Sequence, residues 1–201
     1  MKPYEDISAV ILAGGRSSRM GTNKAELSFG GMSLITYQVK KLRAMGIEDI
    51  ILSGFPEAVS GARPVGDLYP LKGPLGGIHA GLTAATNASC LVISVDVPLV
   101  PELALRKLIR VHLVENNNIT VLTCNGILEP LIGVYDRELR AEAERILQTE
   151  RTSVRRLFKC SGFSALPYTG APQLLRGCNT PEEYRDLLSL AEKSGFPPGA
   201  G

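Results

Sequence analysis

The residues with most chemistry to offer lie between Leu12 and Lys24, in the run Leu12-Ala13-Gly14-Gly15-Arg16-Ser17-Ser18-Arg19-Met20-Gly21 and the lysine three residues on. Adjacent glycines let backbone N–H groups approach an anion without interference from a Cβ. Two guanidinium groups and an ammonium in the same loop add fixed and mobile positive charge. That combination suits a nucleoside triphosphate. The dinucleotide fingerprint G-x-G-x-x-G is excluded, because Gly14 and Gly15 are adjacent and Gly21 falls at the wrong spacing. The ATPase loop G-x-x-x-x-G-K-[ST] is excluded as well, since Lys24 is followed by Ala25.

Two carboxylates complete the set. Asp96, in Ser94-Val95-Asp96-Val97-Pro98, ends the most apolar run of the chain. A carboxylate at a strand end beside a triphosphate loop is a natural ligand for Mg2+, which takes one or two carboxylates plus phosphates and water. Capping the turn punctuated by Pro98 and Pro101 is the alternative for this side chain. Asp67 precedes Gly73-Pro74-Leu75-Gly76-Gly77, a glycine-rich opening to a helix, where it can accept hydrogen bonds from a base or ribose. His79 and His112 have no H-x-x-x-H or cysteine partner, and Cys90, Cys124, Cys160 and Cys178 form no C-x-x-C, which argues against zinc and a disulfide framework.

The elements that must hold these residues alternate. Ile7 to Leu12, Asp49 to Ser53, Arg63 to Gly66, Cys90 to Val95, Ile119 to Cys124, Pro130 to Tyr135 and Gly162 to Leu166 read as strands. Ser33–Met45, Leu75–Ala85, Pro101–Glu115, Arg137–Gln148 and Thr152–Phe158 read as helices. A last helix opens at Thr180-Pro181-Glu182-Glu183, with an N-cap threonine, proline at the first position and acids favoured by the dipole. The expected fold is α/β: a single-domain, Rossmann-like three-layer sandwich around a mostly parallel, mixed sheet. Asn125-Gly126 predicts the hairpin that makes one strand antiparallel.

At 201 residues, with 44% hydrophobic and 21% charged residues and a net charge of +2, the chain has the size and composition of one ordinary globular domain. Nothing in that balance points to nucleic acid, no apolar run approaches the roughly 18 residues of a membrane span, and the acidic N-terminal stretch is unlike a signal peptide. A cytoplasmic location, without nucleic-acid or membrane partners, is the expectation.

The loop resembles the nucleotidyltransferase signature L-A-G-G-x-S-x-R-M-G-x-x-K. With Asp67 and Gly73–Gly77, Asp96-Val97-Pro98 and Asn179-Thr180-Pro181-Glu182-Glu183, the ordered set is similar to the molybdenum cofactor guanylyltransferase family over most of the chain. The resemblance implies a nucleotidyltransferase domain over 1–194, with a nucleotide part at about 1–110, an acceptor part at about 119–194, and a flexible tail at 195–201. It implies transfer of GMP from GTP to molybdopterin with release of pyrophosphate, and Mg2+ as cofactor. Leu12, Ala13, Gly14 and Gly15 would line the nucleotide, with Lys24 on its phosphates, Asp67 on the guanosine and Asp96 on the metal. Lys24, Asp96 and Arg19 would form the catalytic set. Asn179 and Arg156 would bind the acceptor, with Asn179 near Arg151–Arg156. Ser53, also placed among the nucleotide contacts, and Gly177 stand where the family often carries asparagines. A monomer is expected, with transient contacts to other proteins of molybdenum cofactor biosynthesis.

Two other readings compete. A cytidylyltransferase acting on the same cofactor or on another phosphorylated small molecule is the nearer, although related cytidine enzymes tend to show Ala-Ala-Gly where this chain has Ala13-Gly14-Gly15. A non-catalytic nucleotide-binding module is the other, and it predicts loss of the metal carboxylate or loop lysine, both present here.

Overall fold

The structure is a computed structural model that describes residues 4–14 and 23–195. Arg16, Arg19, Gly15 and the rest of 15–22 lie outside the described residues, as does the tail from 196.

Strand β1 (Ile7–Leu12) is followed by a 3-10 turn at Lys24–Glu26, a two-residue hairpin of β2 (Ser28–Phe29) and β3 (Met32–Ser33), and helix α1 (Leu34–Ala44). Then come β4 (Asp49–Ser53), β5 (Arg63–Val65), α2 (Pro74–Ala84), β6 (Ser89–Ser94) and α3 (Glu102–Glu115). The hairpin of β7 (Ile119–Cys124) and β8 (Ile127–Asp136) leads to α4 (Leu139–Leu147), α5 (Val154–Ser161), β9 (Ser164–Pro167), a 3-10 turn at Pro172–Leu175 and α6 (Pro181–Lys193). The main sheet has seven strands in the order β5-β4-β1-β6-β8-β7-β9. Only β8 runs antiparallel to its neighbours β6 and β7. This is the mixed α/β sandwich that the alternation predicts.

Side chains of β1 alternate between two cores, as the strand period of two requires. Ala9 and Ile11 join α1, α3 and α6 on one face, and Val10 and Leu12 join α2 and α4 and α5 on the other. α2 can sit close to the sheet because Gly81 has no Cβ; one there would stand 2.3 Å from a Val10 methyl. Among the described residues, no helix is long and apolar enough to cross a membrane.

Several elements differ from the sequence reading, α5 among them, which runs Val154–Ser161 where Thr152–Phe158 was expected. The hairpin β2–β3 was not expected, since two-residue strands are too short to show a period. The second arm of the larger hairpin starts at Ile127, not Pro130, because a bulge opposite Val121 and Leu122 lets the proline sit inside a strand. Pro101 is the N-cap of α3, one residue outside its first turn.

Candidate active site

The parallel register sets the floor of the site. Leu12 pairs with Ser53 on one side and Ser94 on the other, so the carboxyl ends of β4, β1 and β6 lie level. Beyond them opens a cleft of about 710 Å3 lined by, among others, Leu12, Gly14, Ser53, Asp67, Leu71 and Gly77. The chain leaves β1 towards β4 and returns to β6 on the opposite side, so the cleft lies at the topological switch point where open α/β sheets bind ligands. Its size is that of a small-molecule site.

Glycines shape this cleft by letting other groups close in. A Cβ on Gly76 would stand 3.0 Å from the Asp67 carboxylate, and one on Gly77 3.0 Å from the Ser53 hydroxyl. Asp67 is held by the Tyr69 N–H at 2.9 Å. Gly54, at φ +79°, approaches Gly14 so closely that a Cβ would fall 2.4 Å from the Gly14 Cα. That contact also fixes the backbone of Ala13 and Gly14, whose N–H groups both donate to the Ser53 carbonyl, at 2.8 and 3.2 Å. Gly14 lines the cleft, whereas the Ala13 side chain belongs to the core.

Asp96 follows β6 on a turn, with its side chain 14% exposed. Ser94 Oγ donates to Asp96 Oδ1 at 2.6 Å, and Lys24 Nζ donates to Oδ2 at 3.3 Å. The same ammonium donates to Asn179 Oδ1 at 2.6 Å. Lys24 is delivered by its 3-10 turn, which Asn23 caps through the Ala25 N–H. Asn179 is delivered by the cap of α6: Thr180 and Glu183 form a reciprocal capping box. Glu183 Oε2 also takes the Asn179 N–H at 2.6 Å, leaving the amide side chain to face the lysine.

A second cleft, of about 580 Å3, opens on the other side of this node, among Asn125, Glu129, Arg176, Gly177, Glu183 and Asp186. Ser94 lines the first cleft and Gly177 the second, and the Asp96 carboxylate touches both residues. At Gly177 a Cβ would fall 2.8 Å from Asp96 Oδ2, so a family-type asparagine would displace the carboxylate here. Glu129, whose carboxyl is raised above its ordinary value by burial, has no sequence signal beyond its place near a proline. Burial, and then Asp96, pushes the neighbouring Cys178 thiol up to about 11, which keeps it protonated and unreactive.

Arg156 is not part of this assembly. Its guanidinium donates to Thr149 Oγ1 at 2.8 Å and to the Arg151 carbonyl at 3.0 Å. α5 buries Val154, Leu157 and Phe158 with α2 and α4, whereas Asn179 precedes α6 on the opposite face of the sheet. The expected proximity of Asn179 to Arg151–Arg156 is therefore overturned: the segment instead meets the loop beside the first cleft, where Thr152 Oγ1 donates to the Lys72 carbonyl at 3.5 Å.

The MobA-like NTP transferase domain model matches residues 9–166 of this chain. The chain belongs to the MobA-like NTP transferase family. As a member it is a nucleotidyltransferase. A relative from Carboxydothermus hydrogenoformans, named a probable molybdenum cofactor guanylyltransferase, is 33% identical over 92% of this chain and 97% of its own length. The molybdenum cofactor guanylyltransferase of Xanthomonas euvesicatoria is 32% identical over 90% of this chain and 94% of its own. The fold of this MobA-like transferase matches the crystal structure of molybdopterin-guanine dinucleotide biosynthesis protein A from Archaeoglobus fulgidus, with a TM-score of 0.77 at 20% identity over 92% of this chain and 99% of that one.

Proposed function

We propose that this chain is a molybdenum cofactor guanylyltransferase, transferring GMP from GTP to the terminal phosphate of molybdopterin. The observation that carries the reading is the Lys24–Asp96–Asn179 node, whose carboxylate is bonded to Ser94 of the first cleft and adjoins Gly177 of the second. The cleft at the ends of β1, β4 and β6 takes the nucleotide, with Asp67 at the guanosine end. The cleft beside Gly177 takes the acceptor, with Asn179 at the boundary. The names of relatives sharing a third of the sequence support guanine and molybdenum cofactor as the two substrates.

The reaction joins a phosphate oxygen of the acceptor to the α-phosphorus of GTP and breaks the bond to the β-phosphate, so pyrophosphate leaves. The nucleophile is already an anion at neutral pH, and no general base is needed. Positioning and charge neutralisation carry such a transfer. Lys24 neutralises charge on the phosphates, releasing Asp96 as it does so. Asp96 fits Mg2+: a single carboxylate suits a hard cation whose other ligands are phosphate oxygens and water. Among the described residues no cluster of three His, Cys, Asp or Glu offers a denser cage. When bound, the ion neutralises the triphosphate and acts as a Lewis acid. Ser94 Oγ fixes the orientation of the carboxylate that would hold it. Gly15 and Arg19 are kept as phosphate contacts on their sequence alone.

Incubating the protein with molybdopterin, Mg2+ and α-labelled GTP or CTP tests this. Label transferred from GTP with release of pyrophosphate is the expected result. Label from CTP alone would favour the cytidylyltransferase, and tight GTP binding without transfer the non-catalytic module.

A further inference from the structure

The turn that carries Asp96 is held from outside at four carbonyls. Gln38 Nε2 donates to the Ser94 carbonyl at 3.2 Å, and the Cys178 N–H to that of Asp96 at 3.3 Å. Lys41 Nζ donates to the Pro98 carbonyl at 3.0 Å and also to that of Val100. Gln38 and Lys41 lie three residues apart on the inner side of α1, which puts them on one face of the helix.

Both residues are expensive choices for stability. Lys41 is 7% exposed and Gln38 fully buried. Among the described residues the hydrogen-bond partners of the Lys41 ammonium are carbonyl oxygens, and the Glu102 charge offsets only part of the cost of its burial. Gln38 Oε1 has no hydrogen-bond partner among the described residues. A buried charge without a bonded counter-ion and an unsatisfied buried acceptor each weaken a fold. An apolar α1 would pack against the sheet without either penalty, but would leave the Asp96 turn unclamped. Features that lower stability without local compensation belong to sites where geometry must be fixed.

We infer that Gln38 and Lys41 are positioning residues: they clamp the Ser94–Val100 turn so that the Asp96 carboxylate is preorganised for the transfer. The inference rests on the reading of Asp96 given above. Because α1 follows directly on the Lys24 segment through the β2–β3 hairpin, the clamp also ties together the two chain segments whose side chains meet at the node. Preorganised charge accelerates a reaction because no reorganisation remains when the transition state forms, and displacements of about 1 Å are worth up to roughly 100-fold in rate.

Gln38→Leu and Lys41→Met separate this role from a structural one, since each keeps the side-chain volume and removes the donor. Expected in each is a thermal midpoint equal to or above wild type, kcat reduced about tenfold, and KM for GTP within about twofold. Amide hydrogen exchange of the peptide spanning 94–100 should rise by a similar factor, and Mn2+ used as a probe should bind more weakly in the presence of nucleotide. Unchanged kcat overturns the clamp, as does a fall in kcat that merely tracks a fall in the thermal midpoint of both variants. The exchange and Mn2+ measurements need no turnover. If wild type fails to use GTP, the functional reading fails, while unaltered exchange in the variants is what would remove the clamp.

Discussion

On the side of Asp96 proposed for the nucleotide, missing side chains let the walls close in: Gly54 against Gly14, Gly76 against Asp67 and Gly77 against Ser53. On the side proposed for the acceptor the walls are side chains. They come from the bulged β8, the Asn125-Gly126 turn, the 3-10 turn at Pro172–Leu175 and helix α6. At Gly14, Gly54 and Gly77 a Cβ would meet backbone or a neighbouring side chain, so this wall tolerates little substitution. A wall of side chains can change residue by residue while the backbone stays. The two substrates would thus meet at a site with one rigid half and one adaptable half.

The node between the halves should show the largest effect when broken. Asp96→Ala and Lys24→Ala are each expected to lower kcat on the order of 100-fold or more, the usual result of removing one preorganised charge contact. Both side chains lie at a strand end or turn, outside either core, so the melting temperature should stay near wild type. Single-turnover assays at saturating GTP check this, and wild-type rates would remove the residue from the node.

The comparison of the halves is sharpened by alanine at one glycine of each. Gly54 and Gly126 both have φ near +78°, at +79° and +77°, but only Gly54 has neighbours where a Cβ would go. For Gly126→Ala the left-handed backbone alone is penalised, by about 1 kcal/mol. Gly54→Ala adds overpacking against Gly14, for a total of about 3 kcal/mol. In a chain of this size the expected losses in Tm are about 2–4 °C and about 6–12 °C. GTP binding should be impaired only by the Gly54 change, and equal losses in both variants would erase the distinction.

Much of the rigid half was legible in the sequence and little of the adaptable half. Leu12 and Asp96 end apolar runs, and such ends must lie together at one edge of a parallel sheet. The α6 cap could be read from Thr180, Pro181 and Glu183 because a capping box is local. The contact of Gly14 with Gly54 could not, since it depends on which strands become neighbours. Adjacent glycines suit an anion loop and a backbone crossing equally well, and here Gly14 makes the crossing. The placement of Arg156 failed for a related reason. The apolar period of Val154, Leu157 and Phe158 predicts a helix but does not say which face of the sheet it covers.

Lys41 gives the clamp a pH signature. Burial lowers its pKa from 10.5 to about 7, with Glu102 opposing the shift. Below about pH 7 the ammonium is charged in both folded and unfolded chains, and the full penalty of burying it is present. Between about 7 and 10.5 the unfolded chain holds the extra proton, so stability from this group rises with pH. Urea midpoints at about pH 6 and about pH 9 should show that rise in wild type and its loss in Lys41→Met. An identical pH dependence in the two proteins would mean that the lysine titrates normally.

Arg156→Ala should have the smallest effect, and its direction decides which half the residue serves. The guanidinium ties Thr149 to Arg151, and that turn touches Lys72 twice, through Lys72 Nζ to the Thr149 carbonyl and Thr152 Oγ1 to the Lys72 carbonyl. Lys72 lies between Leu71 and Gly73, both of which line the first cleft, and Leu71 is held there at φ +66°. Loosening exposed contacts of this kind removes about 0.5–1 kcal/mol. KM for GTP should therefore rise about two- to fivefold, with the acceptor KM unchanged. A rise confined to the acceptor KM would return Arg156 to the acceptor site that the resemblance implies for it.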